Sequence, residues 1–384
     1  MKFAHLGDCH LGSWRQPELK ELNFKSFQLA LETCIKEKVD FILIAGDLFD
    51  SAYPSIDTLK QAFDEFRKVK EAKIPVFLIA GSHDYSVSGK TFLDVLARAG
   101  FCTNVFNYEE KNGQVYLFPT IYKNVAIYGY PGKKSALEVD EIEKIKFHDS
   151  PGLFKILMLH TAIRDAVPNM SIKAVDDKKL PKVNYLALAH LHINYNKDGK
   201  VYSGPTFPNS LLELEELGAG SFYIFDNGKI KRQEIRLKEV LFLNLEIKDS
   251  LKATELILEE IKKSNLKDKI VIIKLYGVLE VGKISDIDFA KIERHVKESG
   301  AYVFVKSTSK LHMPQPEIKL DLLDTENLES QIIKRFEEGN PSKFNDYIYQ
   351  FMRILQAEKS EDEKSAVFEE RIISEFQKAL KNEI

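Results

Sequence analysis

Short apolar runs that stop at glycine, or directly at a carboxylate or an imidazole, constrain this chain more than any other feature. Val39-Asp40-Phe41-Ile42-Leu43-Ile44-Ala45 and Pro75-Val76-Phe77-Leu78-Ile79-Ala80 each end at a glycine. Their length and continuous apolar character are those of buried strands. Between such runs Phe24, Phe27, Ala30, Leu31 and Cys34 recur at helical spacing, as do Leu59, Phe63, Phe66 and Val69. A third helix is predicted from about Lys90 to Ala99, stopped by Gly100. From Gln114 the pattern turns to strands: Val115 to Phe118, Val125 to Tyr130, Phe154 to Leu159, Val183 to Ala189 and Ser221 to Phe225. Asp226-Asn227-Gly228 marks a hairpin turn between two later strands. Strand–helix alternation followed by a strand-rich half predicts an α/β core of two packed sheets flanked by helices.

Five motifs sit where these strands should end: Asp8-Cys9-His10, Gly46-Asp47-Leu48-Phe49-Asp50, Gly81-Ser82-His83-Asp84, Leu159-His160 and His190-Leu191-His192. The C-terminal edge of strands is where ligand sites collect in open α/β sheets. Asp8 and His10 are two residues apart, so both can face one ion, and His190 and His192 repeat that spacing. Asp47 follows apolar residues and a glycine, and a carboxylate there is costly to bury unless it is paired or bound to metal. With two oxygens it could bridge two ions. Asp50 alone reads equally well as a loop or helix-capping carboxylate, and any one of the histidines as a hydrogen-bonded core residue. The set reads as a metal centre. Imidazole and carboxylate without thiolate suits Mn, Fe, Zn or a mixed pair.

Composition narrows the setting. A net charge of -3 excludes a whole-molecule positive field, so a polyanion would have to meet a local basic patch or metal. Cys9, Cys34 and Cys102 have neither metal-type nor disulfide-type spacing and read as reduced thiols. Met1 to Leu6 runs straight into the first motif, and no apolar run approaches the ~20 residues of a membrane helix. The expected location is cytoplasmic.

The order Asp-x-His, Gly-Asp-x-x-Asp, Gly-x-His-Asp, His, His-x-His resembles the calcineurin-like metallophosphoesterases, over about residues 1 to 235. Within them, Phe3-Ala4-His5-Leu6-Gly7-Asp8-Cys9-His10-Leu11-Gly12 and Ala45-Gly46-Asp47-Leu48-Phe49-Asp50 look like the nuclease subunit of double-strand-break repair complexes, the meiotic recombination eleven and SbcD group. The resemblance implies two Mn²⁺ ions, one on Asp8, His10, Asp47 and His192, the other on Asp47, His160, His190 and position 82. It implies His83 as general acid, oriented by Asp50, and DNA as substrate for 3′-to-5′ exonuclease and endonuclease activity. It also implies a homodimer joined through the helices near Ile56 to Glu71 and Lys90 to Ala99. The partner would be a coiled-coil ABC-type ATPase. Arg15, Tyr85 and Lys90, near the presumed metals, are candidate DNA contacts or simply solvated loop residues. Trp14 reads as a packing residue.

Three positions depart from the family pattern. Ser82 replaces the asparagine ligand, Ala189 replaces a glycine, and Asp50 stands where some relatives carry histidine. Serine is the shorter side chain, so a weaker second metal site is expected. This leaves two alternatives to the nuclease: a phosphoesterase of small molecules, or a weakly active DNA-binding scaffold.

The expected organisation is a metallophosphoesterase domain over 1–238, a small α/β capping domain over 239–312, a linker over 313–323 and a helical ATPase-binding segment over 324–384. The last carries Phe344, Ile348, Phe351, Leu355, Phe368, Ile372 and Phe376. So small a segment buries such aromatics poorly by itself. It reads either as packed on the cap or as a helical pair that docks on a partner, the latter favoured by the charged stretch Lys359 to Lys364.

Overall fold

A computed structural model of the chain describes residues 1–86, 89–313, 328–339, 341–357 and 365–381. The first stretch lays down β1 (Lys2–Leu6), α1 (Pro17–Lys36), β2 (Phe41–Ala45), α2 (Ile56–Glu71), β3 (Val76–Ile79), α3 (Leu93–Arg98) and β4 (Thr103–Asn104). Then come β5 (Tyr108–Lys111), β6 (Gln114–Leu117), β7 (Thr120–Tyr122), β8 (Val125–Tyr130), α4 (Val139–Ile142), β9 (Ile145–Phe147), β10 (Phe154–His160) and β11 (Tyr185–Ala189). β12 (Asn194–Lys197), β13 (Lys200–Ser203), α5 (Leu211–Leu217), β14 (Gly220–Asp226) and β15 (Lys229–Ile235) follow.

Two six-stranded sheets result, ordered β15-β14-β1-β2-β3-β4 and β12-β13-β11-β10-β8-β7. In the first, β1 to β4 run parallel; in the second, β8, β10, β11 and β13 do. Alternation along each strand divides its side chains between two cores. Phe3, Phe41, Leu43, Phe77 and Ile79 face the second sheet and meet Ile127, Ile156, Met158 and Tyr185. Phe3 stacks on Phe41 at 4.9 Å and on Phe225 at 4.7 Å, with Tyr185 edge-on at 5.0 Å. Ala4, Leu6, Ile42, Ile44, Val76 and Leu78 face α1, α2 and α3 instead, meeting Phe27, Leu31, Phe66 and Leu96. This is the two-sheet α/β core that the sequence predicts. The outer side of the second sheet is covered by a small β5-β6-β9 sheet and the short α4, so that layer is largely strand. Asn227 (φ 47°) and Gly228 (φ 90°) form the tight turn that puts Asp226 opposite Lys229, as the Asn-Gly pair predicts.

Downstream, β16 (Val240–Glu246), α6 (Ser250–Lys262), β17 (Ile270–Val278), α7 (Phe289–Glu298) and β18 (Val303–His312) build a three-stranded sheet with two helices. Ile270, Ile272, Val303 and Val305 share a core with Leu19 and Leu22 of α1 and Leu214 of α5. Met1–Gly277 and Val281–Leu311 therefore form one compact unit. His312 closes β18, and residues 314–323 of the expected linker lie outside those described.

The second unit comprises Val278–Glu280 and His312–Ile384. Its described helices are α8 (Leu328–Gly339), α9 (Ile348–Leu355) and α10 (Ser365–Lys381). Phe351 packs on Phe376 at 4.9 Å, joining α9 to α10. Phe336, Phe344, Tyr349, Leu355 and Ile373 remain exposed. The stretch Lys359 to Lys364 lies outside the described residues.

Candidate metal centre

Asp8 and His10 follow β1, Asp47 follows β2, Ser82 and His83 follow β3, His160 ends β10, and His190 and His192 follow β11. The two sheets bring these ends together: the backbone N–H of His190 donates to both carboxylate oxygens of Asp8, at 3.0 Å each. Such turns need sharp backbone reversals. Asp8, His10, Asp47, His190 and His192 all take positive φ, at 49°, 43°, 49°, 105° and 52°. This conformation costs a non-glycine residue energy and persists where the surroundings over-determine it. Glycine serves elsewhere in the loops. A Cβ on Gly81 would lie 2.2 Å from Asp47 Oδ1, and one on Gly46 would lie 2.4 Å from His160 Nδ1.

Four imidazoles are oriented by one device. Nδ1 of His10 lies 3.2 Å from Asp50 Oδ1, and Nδ1 of His192 lies 3.2 Å from Glu213 Oε1. Nδ1 of His160 donates to the Ala45 carbonyl at 3.0 Å, and Nδ1 of His83 to the Asp50 carbonyl at 2.9 Å. A carbonyl only accepts, so the proton of the neutral ring sits on Nδ1 and the Nε2 lone pair is left free. Three of these Nε2 atoms then meet the acidic groups. His10 Nε2 is 3.6 Å and His160 Nε2 3.1 Å from Asp47 Oδ2, and His192 Nε2 is 3.8 Å from Asp8 Oδ1. His10 and His192 approach Nε2 to Nε2 at 3.1 Å. The fully buried Nε2 of His160 makes no hydrogen bond despite its proximity to Asp47. Donor atoms aimed at a common point rather than at one another are the arrangement of ligands around a cation. Ligand atoms lie within 4.8 Å of one another in three groups: Asp8, His10 and His192; Asp8, Asp47 and His160; and His10, Asp50 and His83. The residues present fit divalent metal ions.

The sequence model of the calcineurin-like phosphoesterases matches residues 1–194 of the 384. The chain belongs to that family. Among curated proteins it is 27% identical over 264 residues to the DNA double-strand break repair protein Mre11 of Archaeoglobus fulgidus, a match covering 64% of this chain and 57% of that protein. The same identity holds over 317 residues with the protein of that name from Methanocaldococcus jannaschii, covering 77% and 78%. A third relative is the uncharacterized metallophosphoesterase YhaO of Bacillus subtilis, 27% identical over 261 residues, 63% of this chain and 62% of that protein. The chain thus spans little more than half the length of the first of these relatives.

As a calcineurin-like phosphoesterase, the chain places its expected site residues unequally. Asp8, His10, Asp47, His160 and His192 gather at the centre, and the His190 ring lies 5.1 Å from that of His160. Ser82, His83, His190 and Asp50 line an open cleft of about 680 Å³, together with Tyr53, Tyr85, Lys133 and Lys134. Asp50 departs from expectation. Its main-chain carbonyl, not its carboxylate, touches His83, and the carboxylate turns to His10. The hydrogen bond from His10 is the main reason its pKa lies below the usual carboxylate range. Tyr85 joins the cleft, whereas Lys90 lines a neighbouring hollow of about 480 Å³ and Arg15 is simply exposed. Trp14 donates from Nε1 to the Pro208 carbonyl at 2.9 Å, a packing role. The methyl of Ala189 lies against the open side of Gly7, where a second Cβ would come within 2.6 Å. That accommodates the glycine-to-alanine departure.

Sequence reasoning gave no role to two carboxylates, Asp84 of the third motif and Glu213. Asp84, 1% exposed, accepts from the backbone N–H groups of Gly81 (2.9 Å), Phe49 (3.1 Å) and Leu48 (3.3 Å). It thereby ties the Asp47 loop to the His83 loop. Burial, and then the charge of Asp47, raise it to about 7. Glu213 holds His192, and the only sequence signal for it was the helix-capping pattern Ser210-x-x-Glu213. Burial pulls His160 and His192 towards neutrality, but Asp47 and Asp8 respectively, with their neighbours, push them up to about 10 and about 9. The carboxylates demand positive charge at this point, a demand that cations also meet.

Proposed function

We propose that the chain is a metal-dependent DNA nuclease that processes double-strand breaks by 3′-to-5′ exonuclease and endonuclease cleavage. The observation that carries the reading is the convergence of oriented Nε2 atoms on Asp8 and Asp47 beside an open cleft bearing Lys133 and Lys134. The names of the archaeal relatives support DNA over a small substrate. Asp8, His10, Asp47 and His192 would hold one Mn²⁺, and Asp47, His160 and His190 the other, with Ser82 at the place of a missing carbonyl ligand. When bound, the cations supply Lewis acidity towards the phosphodiester and its attacking water.

The chain's own residues do the rest. The main-chain N–H of His190 fixes Asp8, and the Nδ1 contacts fix each imidazole in one tautomer. As an imidazolium, His83 keeps its Nδ1–H on the Asp50 carbonyl, so the Nε2–H is the proton left to pass to the departing sugar oxygen. Lys133 and Lys134 draw phosphate into the cleft. The protein would act as a homodimer through α2 and α3, whose surroundings leave Tyr53, Ile56 and Val95 exposed. The exposed aromatics of α8 to α10 would bind a coiled-coil ABC-type ATPase.

With Mn²⁺, the wild type should cut DNA and His83→Ala should not. Hydrolysis of phosphomonoesters or cyclic nucleotides with no cleavage of any DNA would overturn the reading in favour of a small-molecule phosphoesterase. Ser82 supports a scaffold reading as well. Anomalous scattering at the Mn edge separates them, two full sites favouring the enzyme and one or none the scaffold. Removing the residues after Asp324 should abolish co-purification with the ATPase.

A further inference from the structure

Beside the proposed catalytic cleft lies a second hollow of about 610 Å³, whose lining includes four aromatic rings: Tyr85, Phe106, Tyr108 and Tyr130. It is continuous with the cleft, since Tyr85, Ser86, Lys133 and Lys134 line both. The rings are fixed. Phe106 stacks parallel to Tyr108 (4.7 Å, 13°) and meets Tyr130 edge-on at 5.2 Å. Tyr130 is buried, and its hydroxyl donates to Glu141, which also pairs with Lys133. Tyr108 begins β5 opposite Leu117 of β6, so its backbone is held by a strand pair. Yet Tyr108 is 43% exposed. Two parallel rings with the outer one open form an unfinished stack, and a flat aromatic ligand completes it. Lys134 has no carboxylate partner among the described residues, which leaves a cation at the border between hollow and cleft.

We infer that this hollow is a base-stacking subsite, which receives an unpaired nucleobase on Tyr108 while the adjoining phosphates run past Lys134 into the cleft. The inference rests on the nuclease reading and deepens it: the substrate strand would be single-stranded, or locally unpaired, where it passes the hollow. Every base has a π face, so the subsite would tolerate any sequence. Glu110, also on the lining, disfavours a phosphate within the hollow and leaves the base as the group that enters.

The test is equilibrium binding of the full chain, without divalent metal, to a fluorescent single-stranded oligonucleotide. A matched oligonucleotide with abasic nucleotides and a 2-aminopurine version accompany it. Tyr108→Ala should weaken binding of the intact strand about tenfold and relieve 2-aminopurine quenching, while Tyr108→Phe should keep both. The abasic strand should bind wild type and Tyr108→Ala alike. If the intact and abasic strands bind wild type equally, the subsite is overturned and the nuclease reading stands. If neither strand binds while Mn²⁺-dependent hydrolysis of a small phosphodiester persists, the nuclease reading fails and takes the subsite with it.

Discussion

The floor of the metal centre and its rim are built from the same residue types under opposite constraints. Asp8, His10, Asp47 and His160 lie at 3% exposure or less, whereas His83 and His190 are exposed and Asp50 and Ser82 half-buried. On the floor each imidazole has one nitrogen tied to an oxygen and the other aimed inward, and the carboxylates are desolvated. Such a cluster is unfavourable without compensating positive charge. The rim is open to the cleft, and its groups can exchange protons and reach a substrate. The floor should therefore supply most of the metal affinity, with His190 and position 82 completing it from the rim, while His83 on the rim does the proton chemistry; the substitutions below test that division.

Asp47→Ala should have the largest effect. Losing the shared carboxylate should remove several kcal/mol of transition-state stabilisation, a turnover loss of about 10⁴-fold. Mn²⁺ should raise the Tm of the wild type and leave that of Asp47→Ala unchanged. A variant that still gained Tm with Mn²⁺ would move Asp47 out of the floor. His83→Gln should cost about 10² to 10³ in DNA cleavage with metal affinity retained. The loss should shrink for a diester with a p-nitrophenolate leaving group, which departs without a proton. An equal loss on both substrates would show that His83 is not the acid. Glu213→Gln should weaken Mn²⁺ binding about 10- to 100-fold by calorimetry, because it removes the group that orients His192. Ser82→Asn, on the rim, should tighten only the weaker of two Mn²⁺ binding events, by about tenfold. Unchanged affinity and turnover would show that position 82 is not a ligand.

Much of this division was legible beforehand because strand ends are local signals. Asp47 after Ile42-Leu43-Ile44-Ala45-Gly46 and His160 after Ile156 to Leu159 can be placed from their own flanks. The hairpin at Asn227-Gly228 is equally local. What stayed hidden depends on contacts distant in the chain. Asp84 acts on backbone groups of Leu48 and Phe49, and Glu213 on His192, neither with a pattern that names its partner. Asp50 shows a subtler gap. Its place beside His83 was readable, but whether its carboxylate or its carbonyl made the contact depended on His10 competing for the carboxylate. Short polar strands such as β5 and β12 were missed because neither buries a side chain fully and neither carries an apolar alternation. The shared core of β17, β18 and α1 was missed because nothing in the run Ile270 to Leu275 says which helix will cover it.

The five proposed ligand positions with positive φ also bear on the history of such a chain. Glycine, or the more tolerant asparagine, relaxes that conformation. Replacing Asp8, His10, Asp47, His190 or His192 in this way would therefore remove function while easing the fold. Activity and stability pull in opposite directions at these residues. A duplicated copy freed from selection for cleavage would shed its ligands first and keep its two sheets, surviving as a more stable protein with an empty centre.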